Sequence, residues 1–292
     1  MPKAFVGYKI VHISDICNKS LNLVASVEKQ SPDVIVLTGG YADGNGNAGN
    51  AVDVVNQLCK IAPVYYIYNT EDKADYLANT NAVNITDQRV ALTTTAKESI
   101  PFIKENYGNK IIKKATKGDE EAKEYIAYVQ TALNETAGSE IYICGLNNYE
   151  DIQNADDFVG LTYELIGPHI EDITIVLNGN IKHTNAICRT DTDIILTGGT
   201  FGRTNEYNDY KKGMYANKNA SIFVAGGIGN NGKFRVMNFP EYQTITLSDG
   251  TLKYNNPIEN FFELFIKDVG NIYENDGGFT KYSSNGYKDM EQ

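Results

Sequence analysis

Lys9–Cys17 reads KIVHISDIC. Ile10, Val11 and Ile13 form a short run of β-branched residues, which the turn-forming pair Ser14-Asp15 ends. Four later segments repeat this form, an apolar strand followed by small polar residues: DVIVLTGG (33–40), PVYYIYNTED (63–72), ITIVLNGN (173–180) and DIILTGGTFG (193–202). Between the first three lie stretches with apolar positions at helical spacing, 21–30 closed by Ser31-Pro32 and 51–60 closed before Pro63. A β-α-β-α-β order implies parallel strands joined by right-handed crossovers. In such a sheet functional groups gather beyond the carboxyl ends of the strands, and Asp15 is the first to arrive there.

Further along, residues 73–138 are less regular. Helices are expected over 100–107 and 120–133, with the polar run 113–121 between them as a surface loop, so 73–138 reads as a helical insertion or cap. A strand follows at 141–146 and a partly helical stretch at 151–165. DIILTGG (193–199) echoes DVIVLTGG, which suggests two similarly built halves. Segments 221–225, 234–239 and 242–247 are β-rich with turns between, as in an antiparallel meander. One domain is expected over 1–250, followed by a C-terminal extension, 251–292, whose Gly-, Ser-, Asn- and Tyr-rich end frays.

Composition narrows the function. With 37 Asp and Glu against 26 Lys and Arg, the formal net charge is −11, which argues against nucleic acid because a phosphate backbone must be met by clustered cations. No run approaches the ~18–20 apolar residues that cross a bilayer. The start, MPKAFVGYKI, lacks the apolar core of a signal peptide, and a cytoplasmic location is expected. Cys17, Cys59, Cys144 and Cys188 form no C-x-x-C pair, so neither a zinc knuckle nor a redox motif is implied; Cys59 and Cys144 read as buried thiols. Histidine is scarce, at positions 12, 169 and 183 only.

Taken in order, the strand ends resemble the calcineurin-like metallophosphoesterases, most closely small bacterial members with the pattern KIVHISDLH, PDVIVLTGD, PVYYVxGNHE, a late SH and DLVLSGHTHGG. The resemblance spans residues 7–247. It implies an α/β fold, a four-layer α/β/β/α sandwich with mixed sheets, and two divalent metals at the strand ends that position a hydroxide for attack on a phosphate ester. Ligand by ligand, this chain departs from the pattern. D-x-H is Asp15-Ile16-Cys17, and the bridging aspartate is replaced in Gly39-Gly40, while a further aspartate of that motif is kept as Asp43. G-N-H-E becomes Asn69-Thr70-Glu71-Asp72, S-H becomes Asn178-Gly179, and G-H-x-H becomes Gly198-Gly199-Thr200-Phe201. Of the implied ligands only Asp15 remains. Glycine at 40, 179 and 199 offers no donor, and Phe201 puts an apolar ring where a ligand stood. Without metals nothing lowers the pKa of an attacking water or neutralises a transferring phosphoryl group.

These substitutions point to a catalytically inactive relative with no cofactor, which acts by binding, scaffolding or assembly, through a protein partner or with copies of itself. Two alternatives stand beside that reading. A divergent phosphoesterase would hold Mn²⁺ or Mg²⁺ in a rebuilt carboxylate site of Asp15, Asp43, Glu71 and Asp72. A small-ligand or anion binder would use the vacated cleft. More ordinary roles are also expected: Asp15 as a turn cap, His12 as a hydrogen-bonded packing residue, His183 as a loop residue, and the glycine loops 44–49 and 226–232 as turns. Residues 226–241 resemble the family's closing G-I-G … P-E segment, which is scaffold.

Overall fold

The computed structural model describes residues 2–19, 22–69, 72–95, 97–146, 155–167, 173–200, 210–217, 220–229 and 240–247, and the backbone alone at 248, 251–255, 274–275, 279–280 and 288–289. In chain order the strands are β1 (Lys9–Ile13), β2 (Val34–Leu37), β3 (Val64–Tyr66), β4 (Val83–Asn84), β5 (Gln88–Thr93), β6 (Glu140–Leu146), β7 (Thr174–Asn178), β8 (Ile194–Thr197), β9 (Gly213–Ala216), β10 (Ser221–Val224), β11 (Gln243–Ser248), β12 (Thr251–Asn255), β13 (Glu274–Asn275), β14 (Phe279–Thr280) and β15 (Lys288–Asp289). The helices are α1 (Leu23–Gln30), α2 (Gly49–Leu58), α3 (Ser99–Tyr107), α4 (Lys110–Thr116), α5 (Glu120–Glu135), α6 (Ala155–Ile166) and α7 (Thr184–Ile187).

Two mixed sheets result, in the orders β12-β11-β1-β2-β3-β4 and β15-β9-β10-β8-β7-β6-β5, beside a separate antiparallel pair β13-β14. Parallel strands form the centre of each, β1-β2-β3 in the first and β6-β7-β8-β10 in the second. Their unbroken apolar runs follow from burial on both faces. Ile10, Val34 and Val36 of the first sheet meet Ile175, Leu177, Ile194 and Leu196 of the second in a shared core. The alternate residues Val11, Ile13, Ile35 and Leu37 face outward onto α1 and α2. On the other side Val176, Ile195 and Ile222 pack with Phe158 and Ile166 of α6 and Ile187 of α7. Helix, sheet, sheet, helix is therefore the layer order, as the resemblance implies.

The echo between the halves has a common structural use. Asp33 accepts the Lys9 amide at 2.7 Å and Asp193 accepts the Thr174 amide at 2.8 Å, each fixing the start of the neighbouring parallel strand. In both cases the aspartate's own amide returns a bond to the same residue's carbonyl.

Elsewhere the structure departs from expectation. The stretch 73–138 is not wholly a helical insertion: β4 extends the first sheet and β5 forms an edge of the second. Both are short or half-exposed, so their alternation is weak. Residues 113–121 are not a loop throughout, because α4 occupies 110–116. Its Ile111 and Ile112 lean on a small core of Val6, Phe102, Ile103, Val129 and Leu133. No single meander joins 221–247, since β10 lies in the second sheet while β11 pairs antiparallel with β1 in the first. The expected strand at 234–239 lies outside the described residues, as does most of 256–292. β12 carries the first sheet past residue 250 by an antiparallel pairing with β11.

Candidate functional site

Five strand ends converge at one end of the shared core. β1 stops at Ser14 because Asp15, Cys17 and Asn18 all take positive φ, at 49°, 47° and 58°. This turn is laid along the β2 loop by three backbone bonds: Asp15 N–H to Gly39 O (2.8 Å), Cys17 N–H to Gly40 O (2.7 Å) and Asn18 N–H to Tyr41 O (2.8 Å). On the opposite side Ile228 and Gly229 donate their amides to Ser14 O and Asp15 O. Asp15 is thus enclosed, with 0% exposure. Its Oδ1 accepts from Asn69 Nδ2 at 3.3 Å and its Oδ2 from Ser14 Oγ at 3.2 Å. The expected turn cap is instead a tie between the β1 and β3 loops.

Glycines make this closeness possible. A Cβ on Gly40 would stand 2.6 Å from Asp15 Oδ1, and Gly40 has a φ of +76°. A Cβ on Gly227 would stand 2.8 Å from Asp15 Oδ2. Gly179 lies against Asn69, and Gly199 lies against the carbonyl of Gly179. Residues 15, 40, 69, 179 and 199 therefore form one contiguous cluster, as the strand order requires. A side chain at 40, 179 or 199 would come within 3.0 Å of these neighbours.

The other carboxylates serve the loops. Asp72, half-buried, accepts the Tyr41 amide on Oδ1 (2.9 Å) and the amides of Gly40 (2.8 Å) and Asn69 (3.0 Å) on Oδ2. It straps the β2 loop to the β3 loop. Asp43 Oδ1 accepts the amides of Asn45 (2.9 Å) and Asn47 (3.0 Å), and these bonds hold its carboxyl below its ordinary pKa. Asn178 donates to Thr197 (3.1 Å) and Thr184 (3.3 Å). Cys17 is buried beside Gly229. Thr70, Glu71, Phe201 and His169 lie outside the described residues.

His12 matches its expected packing role. Gln243 donates Nε2 to Val224 O (2.8 Å), which assigns its Oε1 as acceptor, so His12 Nδ1 carries the proton at 2.9 Å and Nε2 accepts from the Thr38 hydroxyl at 2.9 Å. The ring thereby links β1 and β2 of one sheet to β10 of the other. Burial pushes its pKa down to about 4, against the opposing bond from Gln243. His183 ends a 3-10 turn (Ile181–His183) rather than lying in open loop, and its ring stacks on Phe158 with centroids 4.3 Å apart.

Sequence reading missed two of the polar anchors. Asn69 is 3% exposed and reaches Asp15. Glu241, 0% exposed, accepts the Gly226 amide at 2.9 Å and Lys212 Nζ at 3.0 Å, and so holds the 226–229 loop over Asp15. The P-E ending of the closing segment was the available signal for Glu241.

Two divalent ions held ~3.5–4 Å apart need a bridging carboxylate and several further ligands. The described residues do not fit that group: at 40, 179 and 199 the chain offers backbone in contact with backbone. Among the described residues no three His, Cys, Asp or Glu side chains converge as a metal site would require.

No protein-family model and no curated protein matches the chain. Solved structures do. Vacuolar Protein Sorting 29 from Cryptosporidium parvum is similar at 9% identity and a TM-score of 0.42, over 95% of this chain and 100% of that one. A dimetal phosphatase from Danio rerio is similar at 8% identity and 0.41, over 87% and 97%. A predicted phosphoesterase from Streptococcus pneumoniae is similar at 9% identity and 0.38, over 86% and 90%. The four-layer architecture itself rests on the sheets described above.

Proposed function

We propose that this chain is a catalytically inactive relative of the calcineurin-like metallophosphoesterases that acts by binding or assembly, with a protein partner or with copies of itself. One observation supports the loss of chemistry above the others: the Asp15 carboxylate is sealed between Gly40 and Gly227, with Asn69 on its Oδ1. A metal bridging from position 15 would need a donor at position 40 and a path to water, and among the described residues Gly40 offers no side chain and Asp15 is fully buried. The rebuilt carboxylate site gains no support from Asp43 and Asp72, whose oxygens already accept backbone amides. None of Cys17, Cys59, Cys144 and Cys188 is joined in a disulfide, which suits a reducing, cytoplasmic setting.

The test is elemental analysis of the purified protein after incubation with Mn²⁺ and with Mg²⁺, together with turnover of a generic aryl phosphodiester. The reading expects neither bound metal nor metal-dependent turnover. Close to two metals per chain with turnover would overturn it. Sedimentation velocity on the same sample separates self-assembly from a monomer that awaits a partner.

A further inference from the structure

Helix α4 carries Lys110, Lys113 and Lys114, and Lys117 follows as its C-cap. Positions 110, 113, 114 and 117 recur at i, i+3, i+4 and i+7, which places all four on one face of the helix. All four side chains are exposed, while Ile111 and Ile112 on the other side are half-buried against the core around Phe102 and Val129. The apolar anchor therefore fixes the direction of the lysine face. From Asn106 to Gly118 the chain has no Asp or Glu. Among the described residues none of these four lysines joins an ion pair.

Helix stability does not account for the set. Lys113 and Lys114 lie in the last turn, where cations complement the macrodipole. Lys110 is the first residue of the helix, where a cation opposes it. A chain of net charge −11 thus places four positive charges on one exposed helix face. The nearest carboxylates are partly engaged, Asp119 as the cap of α5 and Glu120 with Lys123, and at physiological salt, with a screening length of ~8 Å, acidic groups farther away are largely screened from the lysine face.

We propose that the lysine face of α4 is a docking surface for an anionic phospholipid membrane. Area and chemistry favour this occupant over others. Seven residues of helix are about 10 Å long and about 10 Å wide, so one face offers about 100 Å², against ~800 Å² per partner in a stable protein interface. Fluid headgroups need no matching shape, because they move to meet each ammonium. Lysine suits this as a compact point charge, whereas arginine's fixed fork serves shaped carboxylate or phosphate pockets. Each lysine near such a surface strengthens binding about fivefold, so four give weak, reversible, salt-sensitive attachment. This inference is independent of the loss of metal chemistry.

The experiment is vesicle co-sedimentation of the full chain with neutral phosphatidylcholine vesicles and with vesicles holding about 30% phosphatidylserine. The quadruple variant K110Q/K113Q/K114Q/K117Q is compared with K19Q/K29Q/K60Q/K73Q, which removes the same charge from exposed sites elsewhere. Wild type and the second variant should bind only the anionic vesicles, at about 50 mM salt but not about 500 mM. The α4 variant should bind at least about a hundredfold more weakly, with an unchanged circular dichroism spectrum. Equal binding to neutral vesicles, equal loss in both variants, or no binding by wild type would overturn the proposal. So would duplex DNA or an acidic polypeptide displacing the vesicles through the same lysines at lower charge concentration, which would assign the face to a different partner.

Discussion

The backbone of Gly40 rests on the carboxylate of Asp15, so closely that a Cβ at residue 40 would come within 2.6 Å of Oδ1. Restoring a side chain there is therefore a structural question before it is a catalytic one. Gly40→Asp meets a positive φ, which costs a non-glycine residue about 1–3 kcal/mol, and it sets a second carboxylate beside a buried one. The expected outcome is a loss of about 3 kcal/mol or more in urea unfolding, with no metal-dependent turnover gained. A folded, metal-loaded variant would show that the loops part readily.

Asp72 tests the strap between the β2 and β3 loops. Asp72→Ala leaves three backbone amides without their acceptor, and an unsatisfied donor costs about 1–3 kcal/mol when water cannot replace the partner. Because Asp72 is half-buried, the expected total is about 2–3 kcal/mol. Asp72→Asn keeps one acceptor oxygen and should lose less. Equal stability of all three proteins in urea would remove the strap from the account.

His12 makes stability depend on pH in a defined window. Its folded pKa, about 4, lies below the ordinary 6.5, so the folded state binds fewer protons than the unfolded chain between those values. Stability from this group is complete above pH 6.5 and falls as pH drops toward 4, by about 3 kcal/mol in all. Asp43 acts in the same sense at lower pH, because its carboxyl is held below 3.8. Denaturation at pH 7, 5.5 and 4.5 should show a steeper slope in the wild type than in His12→Gln, which removes one titrating ring and leaves that of His183, also held below its ordinary value by burial.

Thiol labelling follows from burial. Cys144 and Cys188 are 0% and 3% exposed, and desolvation pushes both thiols up to about 11. Little thiolate exists at neutral pH, and what forms is shielded. Alkylation at pH 8 should reach half-buried Cys59 first and modify Cys144 and Cys188 only after unfolding. Rapid native labelling of either would contradict the packing around α6 and α7.

Much of the fold was legible because the central strands are buried on both faces. Val34–Leu37 and residues 194–196 read as unbroken apolar runs and lie in β2 and β8, where those runs predict strands. The edges were not legible. β5 has one buried residue in six, and α4 hides two isoleucines among three lysines, so neither shows a clear period. At the strand ends, the loss of donors at 40, 179 and 199 could be read residue by residue. The roles of Asp72, Asn69 and Glu241 could not, because their partners are residues of loops set by tertiary structure: amides at Gly40, Tyr41 and Gly226, and the Asp15 carboxylate.

The interlocked glycines also bear on reversibility. With loops in backbone contact at residues 15, 40, 69, 179 and 199, a donor returned at any one position meets a neighbour that has not moved. On the proposed reading each single substitution of this kind would lose stability and gain no activity, since one ligand does not hold a pair of metal ions. Several loops would have to change together before selection could act on the result. On the proposed reading the close packing works as a ratchet: with the strand ends shut, single substitutions would be tolerated more readily on the outer surfaces than between these loops.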